Sequence, residues 1–308
     1  MGTEGTQEPS AGDREDDIFR SVVTADQTSD FPAEAGRYHL YISWACPWAH
    51  RAVLARSLKG LEDVISMSAV NPVRDSRGWA FTGGEYVDPI NGFELLSEVY
   101  ELGSPGFTQR VTVPMVWDIK SDRIVNNESS EVLRMFNSGF GDLADNAIDL
   151  YPEPLRDAID AINAIVYPRV NKAVFRVGGA VAQDDYEREV TALFETLDEL
   201  DAQLGAQRWL VDSRNPTEAD WRLFTTLIRF DSVYVGHFKC NLRRIADYRN
   251  LSGYLRDLYQ QPGVAATVRF QEMKDHFYKA HSPWNEHGIV PLGPMLDLEA
   301  PHGRESLS

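Results

Sequence analysis

The sequence predicts two units in tandem, a small α/β domain followed by an all-α domain, and three observations carry this. At 308 residues the chain has room for two cores, and a hydrophobic share of 43% is ample to fill them. Tyr38–Ser43 reads as a buried strand, the stretch from Pro47 to about Lys59 as a helix with Leu54 and Leu58 one turn apart, and Val64–Val70 as a second strand. That rhythm implies a parallel pair joined by a right-handed crossover. Beyond Tyr151, by contrast, the apolar pattern is helical throughout.

Residues 1–30 are polar, acidic and poor in aliphatic residues, which predicts a mobile arm with Phe19 and Arg20 as its local anchor. Residues 71–106 form a long irregular stretch holding Trp79, Phe81 and Tyr86, more aromatic than a passive connection, with a short helix over Leu95–Leu102. Two short strands follow, Val111–Asp118 and Arg123–Asn126, separated by the turn residues Lys120, Ser121 and Asp122. Pro114 opens the first of them. A cis peptide there would turn the Val113 backbone towards a ligand, but base rates alone predict trans. Asn127–Ser130 opens a helix that runs to about Asn137 and stops at Gly139; its polar N-terminus suits a carboxylate, or is plain capping. The later helices are expected over Leu155–Val166, Tyr186–Leu204, Ala219–Tyr234, Leu251–Gln260 and Val264–Tyr278, with residues 296–308 as a tail. Thr217 and Asp220 have capping-box spacing, so Asp220 is read as structural.

The net charge of −17 argues against a nucleic-acid surface, which needs clustered Lys and Arg. No apolar run reaches transmembrane length, and the N-terminus has neither a basic nor an apolar targeting region, so a cytoplasmic location is expected. Two distant cysteines make no disulfide framework. His276, His281 and His287 have spacings that suit no metal module, and they are read as surface or hinge histidines with no metal.

Cys46 is the residue with distinctive chemistry. It ends the first strand and precedes a Pro-started helix, where unpaired N–H groups and the positive helix end favour an anion, hence the nucleophilic thiolate. Ala49 stands where a Cys-x-x-Cys motif would place its second thiol, so Cys46 must form its mixed disulfide with a small partner. The alternative is a small hydrophobe packed at a turn.

A helix-capping cysteine, a Val-Pro-opened strand and a polar helix start, followed by an all-α domain, resemble the glutathione transferases. The segments Arg37-Tyr-His-Leu-Tyr, Ala45-Cys-Pro-Trp-Ala-His-Arg51, Arg110-Val-Thr-Val-Pro114, Asn127-Glu-Ser-Ser130, Val235-Gly-His-Phe-Lys-Cys-Asn241 and Gly288-Ile-Val-Pro-Leu-Gly-Pro294 narrow the resemblance to the glutathionyl-hydroquinone reductases, the Xi class. The resemblance implies a thioredoxin-like, glutathione-binding domain over residues 31–141 with the long inserted loop 71–106, an all-α domain over residues 142–295, and a homodimer through the helical domains. It also implies a reaction, in which glutathionyl-hydroquinone and glutathione give hydroquinone and glutathione disulfide through a Cys46–glutathione mixed disulfide.

The same resemblance implies site residues. Trp79 would pack on glutathione and Arg110 would contact it. The backbone of Val113 would pair with the cysteinyl unit of the ligand, while Glu128 and Ser129 would hold the γ-glutamyl amine and carboxylate. Tyr234 and Tyr278 would bind the ring oxygens. The chain departs from the family in placing Phe175 where a tyrosine is expected, with Tyr167 two helical turns away, and Pro283-Trp284-Asn285 where an Ile-Asn-Pro run is expected. Two other functions share these features: an omega-like thiol transferase or dehydroascorbate reductase, and a non-catalytic transferase-like binding module. The cosubstrate is glutathione or another γ-glutamyl thiol such as γ-glutamylcysteine, and the quinone is left open.

Overall fold

The computed structural model describes residues 18–280 and 285–307, so the start of the expected arm, residues 1–17, lies outside the described residues, as do His281, Pro283 and Trp284. The later part of the expected arm, from residue 18 to residue 30, lies against the fold. Strand β1 (Val23–Thr24) pairs in parallel with β2 (Phe31–Pro32), and the Ser21 N–H donates to the Val125 carbonyl at 3.0 Å. The cause is apolar. Val23 is buried, and the Phe19 ring packs 6.0 Å from those of Tyr100 and Phe107.

All five residues of β3 (Tyr38–Ile42) are buried, as a central strand requires. Helix α1 (Pro47–Leu58) carries the chain back to β4 (Ile65–Ala69), which pairs in parallel with β3, placing Leu40 opposite Met67. This is the expected parallel pair. Helix α2 (Leu96–Gly103) lies within the long loop, and strands β5 (Met115–Asp118) and β6 (Arg123–Asn126) complete a sheet of order β4-β3-β5-β6, antiparallel at both added edges. Helix α3 (Ser129–Ser138) packs on α1. Its C-cap is Gly139, where a Cβ would stand 2.4 Å from the Val23 carbonyl, so the approach of Val23 requires glycine there.

His39 lies buried in β3 with Nδ1 2.7 Å from Ser66 Oγ and Nε2 2.8 Å from Ser68 Oγ. Burial lowers its pKa to about 4. Between that value and about 6.5 an unfolded histidine is protonated while folded His39 is not, so the unfolded state binds more protons and stability falls as pH drops. The contribution is on the order of 3 kcal/mol. Urea unfolding between about pH 7 and pH 4 is expected to show this decline, with His39→Gln flattening part of it; His50, also buried and neutral, contributes with the same sign. An unchanged pH dependence in the variant would refute the assignment.

The second half contains α4 (Arg156–Val166), α5 (Ala173–Gly179), α6 (Gln183–Leu204), α7 (Glu218–Arg229), the short α8 (Val235–His237), α9 (Leu251–Tyr259) and α10 (Phe270–Ala280). The capping box is present: Asp220 accepts the Thr217 N–H at 2.8 Å, and also the Leu210 N–H and Tyr254 hydroxyl at 2.8 Å each. Two expected helices are interrupted. The stretch Ala219–Tyr234 leaves α7 through a wide π turn over Phe230–Tyr234, and a matching turn over Tyr167–Asn171 joins α4 to α5. The stretch Val264–Tyr278 breaks at Val268, where the backbone is extended, after the Thr267 hydroxyl has bonded to the Val264 carbonyl and to His50. Among the described residues no helix is long and apolar enough to cross a membrane.

Candidate active site

Cys46 caps α1. Its backbone is extended, with φ −73° and ψ 120°, and its Sγ accepts the Ala49 N–H at 3.5 Å. Pro47 takes the first helical position, where no N–H is needed. The half-buried sulfur lines a cleft and, as a thiol, donates to the Val113 carbonyl at 3.6 Å. The Val113–Pro114 peptide is cis, which corrects the trans isomer expected from base rates. A base rate carries no information about the tertiary contact Val113 makes here. The second cysteine is different: Cys240 is fully buried, and burial pushes its thiol well up.

The long loop supplies the opposite wall. Asn71 and Leu96 donate their N–H groups to the Ala80 and Trp79 carbonyls at 2.8 and 3.0 Å, and the Tyr41 hydroxyl holds Asp88 at 2.7 Å. Trp79 is thereby fixed at the cleft, stacked on His276 with centroids 5.4 Å apart and planes 19° apart, and beneath the Arg74 guanidinium at 5.1 Å. His276 is neither a surface nor a hinge residue, as its spacing had suggested. It is buried, and because the Pro72 carbonyl can only accept, its Nδ1 carries the proton that bridges them at 2.6 Å. Exposed Arg110 stands on the rim. Cys46, Trp79, Arg110 and Val113 therefore meet in one cleft.

Glu128 and Ser129 are not among the residues lining that cleft. Glu128 is the N-cap of α3, its Oε2 accepting the Ser130 and Glu131 N–H groups at 2.9 Å each. Burial raises its pKa, but the bonds from Ser130 and Glu131 and the nearby Arg51 cation outweigh it, leaving the carboxyl below its ordinary range. The other oxygen, Oε1, accepts from the Ser129 hydroxyl at 3.5 Å. Ser129 is buried and accepts from Arg51 at 3.3 Å.

The two tyrosines are also set back. Tyr234 is fully buried on the second π turn, stacked on Phe238 at 5.5 Å and 6°, and its hydroxyl has no hydrogen-bond partner among the described residues. Phe175 lies between, edge to Tyr234 at 6.0 Å, and itself lines the cleft. The Tyr278 hydroxyl accepts the His237 backbone N–H and rests over Gly236, where a Cβ would approach it to 2.7 Å. Tyr167 packs edge-on to Trp48 at 5.7 Å. Among the described residues no group of three or more His, Cys, Asp or Glu is arranged to hold a metal.

Two family models match in tandem, the N-terminal domain of glutathione S-transferase over residues 45–138 and its C-terminal domain over residues 183–257. Glutathionyl-hydroquinone reductase YqjG of Escherichia coli K12 is 47% identical over 93% of this chain and 90% of its own length. This chain belongs to the glutathionyl-hydroquinone reductases. Its relative PcpF, the glutathionyl-hydroquinone reductase of Sphingobium chlorophenolicum, is 50% identical over 87% of this chain and 86% of its own. The glutathione-bound structure of YqjG superposes with a TM-score of 0.90 at 46% identity, covering 94% of this chain and 96% of that one. A Xi-class transferase from Natrialba magadii superposes with a TM-score of 0.91 at 47% identity, covering 94% and 91%. The fold of this reductase family member is thus a thioredoxin-like domain with a mixed sheet followed by a helical domain.

Sequence reasoning missed several residues that shape the site. His276 shows in the sequence as one of three histidines without metal spacing, a pattern that carries no sign of its stack on Trp79. Arg229 and His50, fully buried behind Cys46, did leave one trace: Arg229 is a charge inside the apolar run Leu227–Phe230.

Proposed function

We propose that this chain is a glutathione-dependent reductase of glutathionyl-hydroquinones with Cys46 as its nucleophile. The observation that carries the reading is a sulfur at a helix start, open to a cleft beside the Val113 backbone. In the first step the Cys46 thiolate attacks the sulfur of the conjugate. An S–S bond to glutathione forms, the ring carbon–sulfur bond breaks, and its electron pair goes to the ring carbon, which takes a proton to give the hydroquinone. In the second step a glutathione thiolate attacks the mixed disulfide, releasing glutathione disulfide and restoring the Cys46 thiolate. Val113 pairs with the cysteinyl backbone, Trp79 packs on the peptide and Arg110 contacts it from the rim. Glu128, ionised by its capping bonds, takes the γ-glutamyl amine through its less engaged oxygen, and Ser129 with the α3 amides takes the carboxylate. Tyr234 and Tyr278 serve the ring oxygens, with Phe175 moving aside for the Tyr234 hydroxyl. Glutathione or another γ-glutamyl thiol is the cosubstrate, and a cytoplasmic homodimer assembled through the helical domains belongs to the same reading.

Intact-mass analysis after exposure to a glutathionyl-hydroquinone is expected to find one glutathione on Cys46, released by added thiol. Turnover on this thioether is expected to exceed turnover on a glutathione mixed disulfide or dehydroascorbate. The reverse order of rates makes the chain a thiol transferase; no adduct makes it a binding module.

A further inference from the structure

Behind the cleft lies a cation without a counter-ion. Arg229, the last residue of α7, is fully buried, and among the described residues no carboxylate pairs with it. Its Nε–H donates to the Ala45 carbonyl at 3.0 Å and Nη2 to the Trp44 carbonyl at 3.1 Å. Nη1 donates to the Thr225 carbonyl at 2.8 Å and to His50 Nδ1 at 3.0 Å. These acceptors satisfy the N–H groups but leave the charge, whose removal from water is costly without compensation.

His50 does not compensate it. Because Nδ1 accepts from Arg229, its proton sits on Nε2, which reaches Thr267 Oγ1 at 2.8 Å while that hydroxyl donates to the Val264 carbonyl at 2.7 Å. Burial first and the Arg229 charge second keep this imidazole neutral. Burial lowers the Arg229 guanidinium only to about 10, so it stays a cation at neutral pH. The ionisable side chains placed beside it by the chain are Tyr234, on the turn that follows α7, and Cys46, directly after the gripped Ala45 carbonyl. Tyr234 is pushed well up by burial and remains a neutral phenol. That leaves the sulfur.

We infer that Arg229 is a positioning residue for the thiol chemistry: it grips the two carbonyls before Cys46 and supplies the buried positive charge that the Cys46 thiolate balances. The inference rests on the reading of Cys46 as nucleophile given above. It also gives the second step a direction. Mixed-disulfide formation removes the anion and leaves Arg229 unbalanced, so attack by glutathione, with Cys46 as leaving thiolate, restores the pair. The other charged or titratable groups at the site sit differently. Arg74, Arg110 and His276 line the solvent-open cleft; Arg51 donates to Ser129 and Asn171 and lies over the Trp48 ring at 4.6 Å, and Arg269 lies over the Trp44 ring at 5.2 Å.

The test is the pH profile of Cys46 alkylation by iodoacetamide in the full-length protein, with kcat and KM measured on the same samples. Arg229→Met is expected to slow Cys46 alkylation near neutral pH by roughly tenfold and to lower kcat with KM unchanged. Arg229→Lys is expected to recover the profile, because the charge returns, but not kcat, because an ammonium cannot hold both carbonyls as a fork. The wild-type profile is expected to stay in place between low and molar salt, since a buried charge is poorly screened. A folded Arg229→Met protein with the wild-type profile overturns the inference. Should that variant not fold, a wild-type profile that moves with salt overturns it in favour of Arg74 and Arg110, and a fixed one supports it. Failure of the reductase reading is seen separately, as absence of a glutathione adduct on wild-type Cys46.

Discussion

Cys46→Ser is expected to lose turnover on a glutathionyl-hydroquinone by at least about a thousandfold, ~4 kcal/mol in the barrier, while keeping its fold. The side chain at this position caps α1 by accepting the Ala49 N–H, a role a serine hydroxyl fills at least as well. Thermal unfolding is therefore expected to move by no more than a few degrees, corresponding to about 1 kcal/mol of cap. The chemistry has no such substitute. An alkoxide is not available at neutral pH, since the Cys46 side chain hydrogen-bonds to the Ala49 N–H and the Val113 carbonyl, neither of them a base. Nor does oxygen form a stable bond to the glutathione sulfur. Cys240→Ala is the control: its sulfur is sealed against the Val174 carbonyl at 4.0 Å, and its loss is expected to leave turnover intact. Activity in Cys46→Ser above about one hundredth of wild type, in protein free of contaminating thiol, would remove the proposed mechanism.

The part of this site that was legible in the sequence is the part made by local chemistry. Strand, cysteine, proline and helix follow one another within residues 38–58, and Thr217 and Asp220 lie three apart, so backbone rules alone place them. What the sequence hid is made by contacts across long separations. The π turn that carries Tyr234 keeps the apolar spacing of an ordinary helix, so nothing in Ala219–Tyr234 announced that α7 would end at Arg229. The break after Thr267 answers to His50, on α1, and the docking of Val23 answers to a glycine at position 139. The same logic applies to Glu128. Its residue type and place were legible as both a cap and a ligand, and the bond lengths assign one oxygen to capping while leaving the other lightly held. The aromatic loop 71–106 marked itself as more than a connection, but its pairing of Trp79 with His276 depended on α10.

The second large effect is structural. Glu218→Ala is expected to destabilise the protein by about 2–3 kcal/mol, because it removes a fully buried carboxylate from a network whose Arg134 partner is 37% exposed and is partly resolvated. Glu218 is fully buried at the start of α7. Its carboxylate accepts Arg134 Nε and Nη2 at 2.8 Å each, Asn163 Nδ2 at 2.8 Å and Arg222 at 3.4 Å. Arg134 belongs to α3 and Asn163 to α4, so one carboxylate ties the helix that begins at Glu128 to two helices of the second half. Burial disfavours the Arg134 cation, yet the bonds and charge of Glu218, with Asp160, more than offset this and raise its pKa. Without the carboxylate, Arg134 keeps, among the described residues, the half-exposed Asp160 and the Tyr151 ring under its guanidinium. Removing both partners removes the unpaired charge as well. Glu218→Met with Arg134→Met is therefore expected to cost clearly less than the two single changes added together, a coupling that urea midpoints of the four proteins would measure. Strict additivity would mean that the pair contributes packing alone. Since α3 presents the proposed γ-glutamyl site at its first turn, the same single variant is expected to raise KM for glutathione at temperatures where the fold still holds.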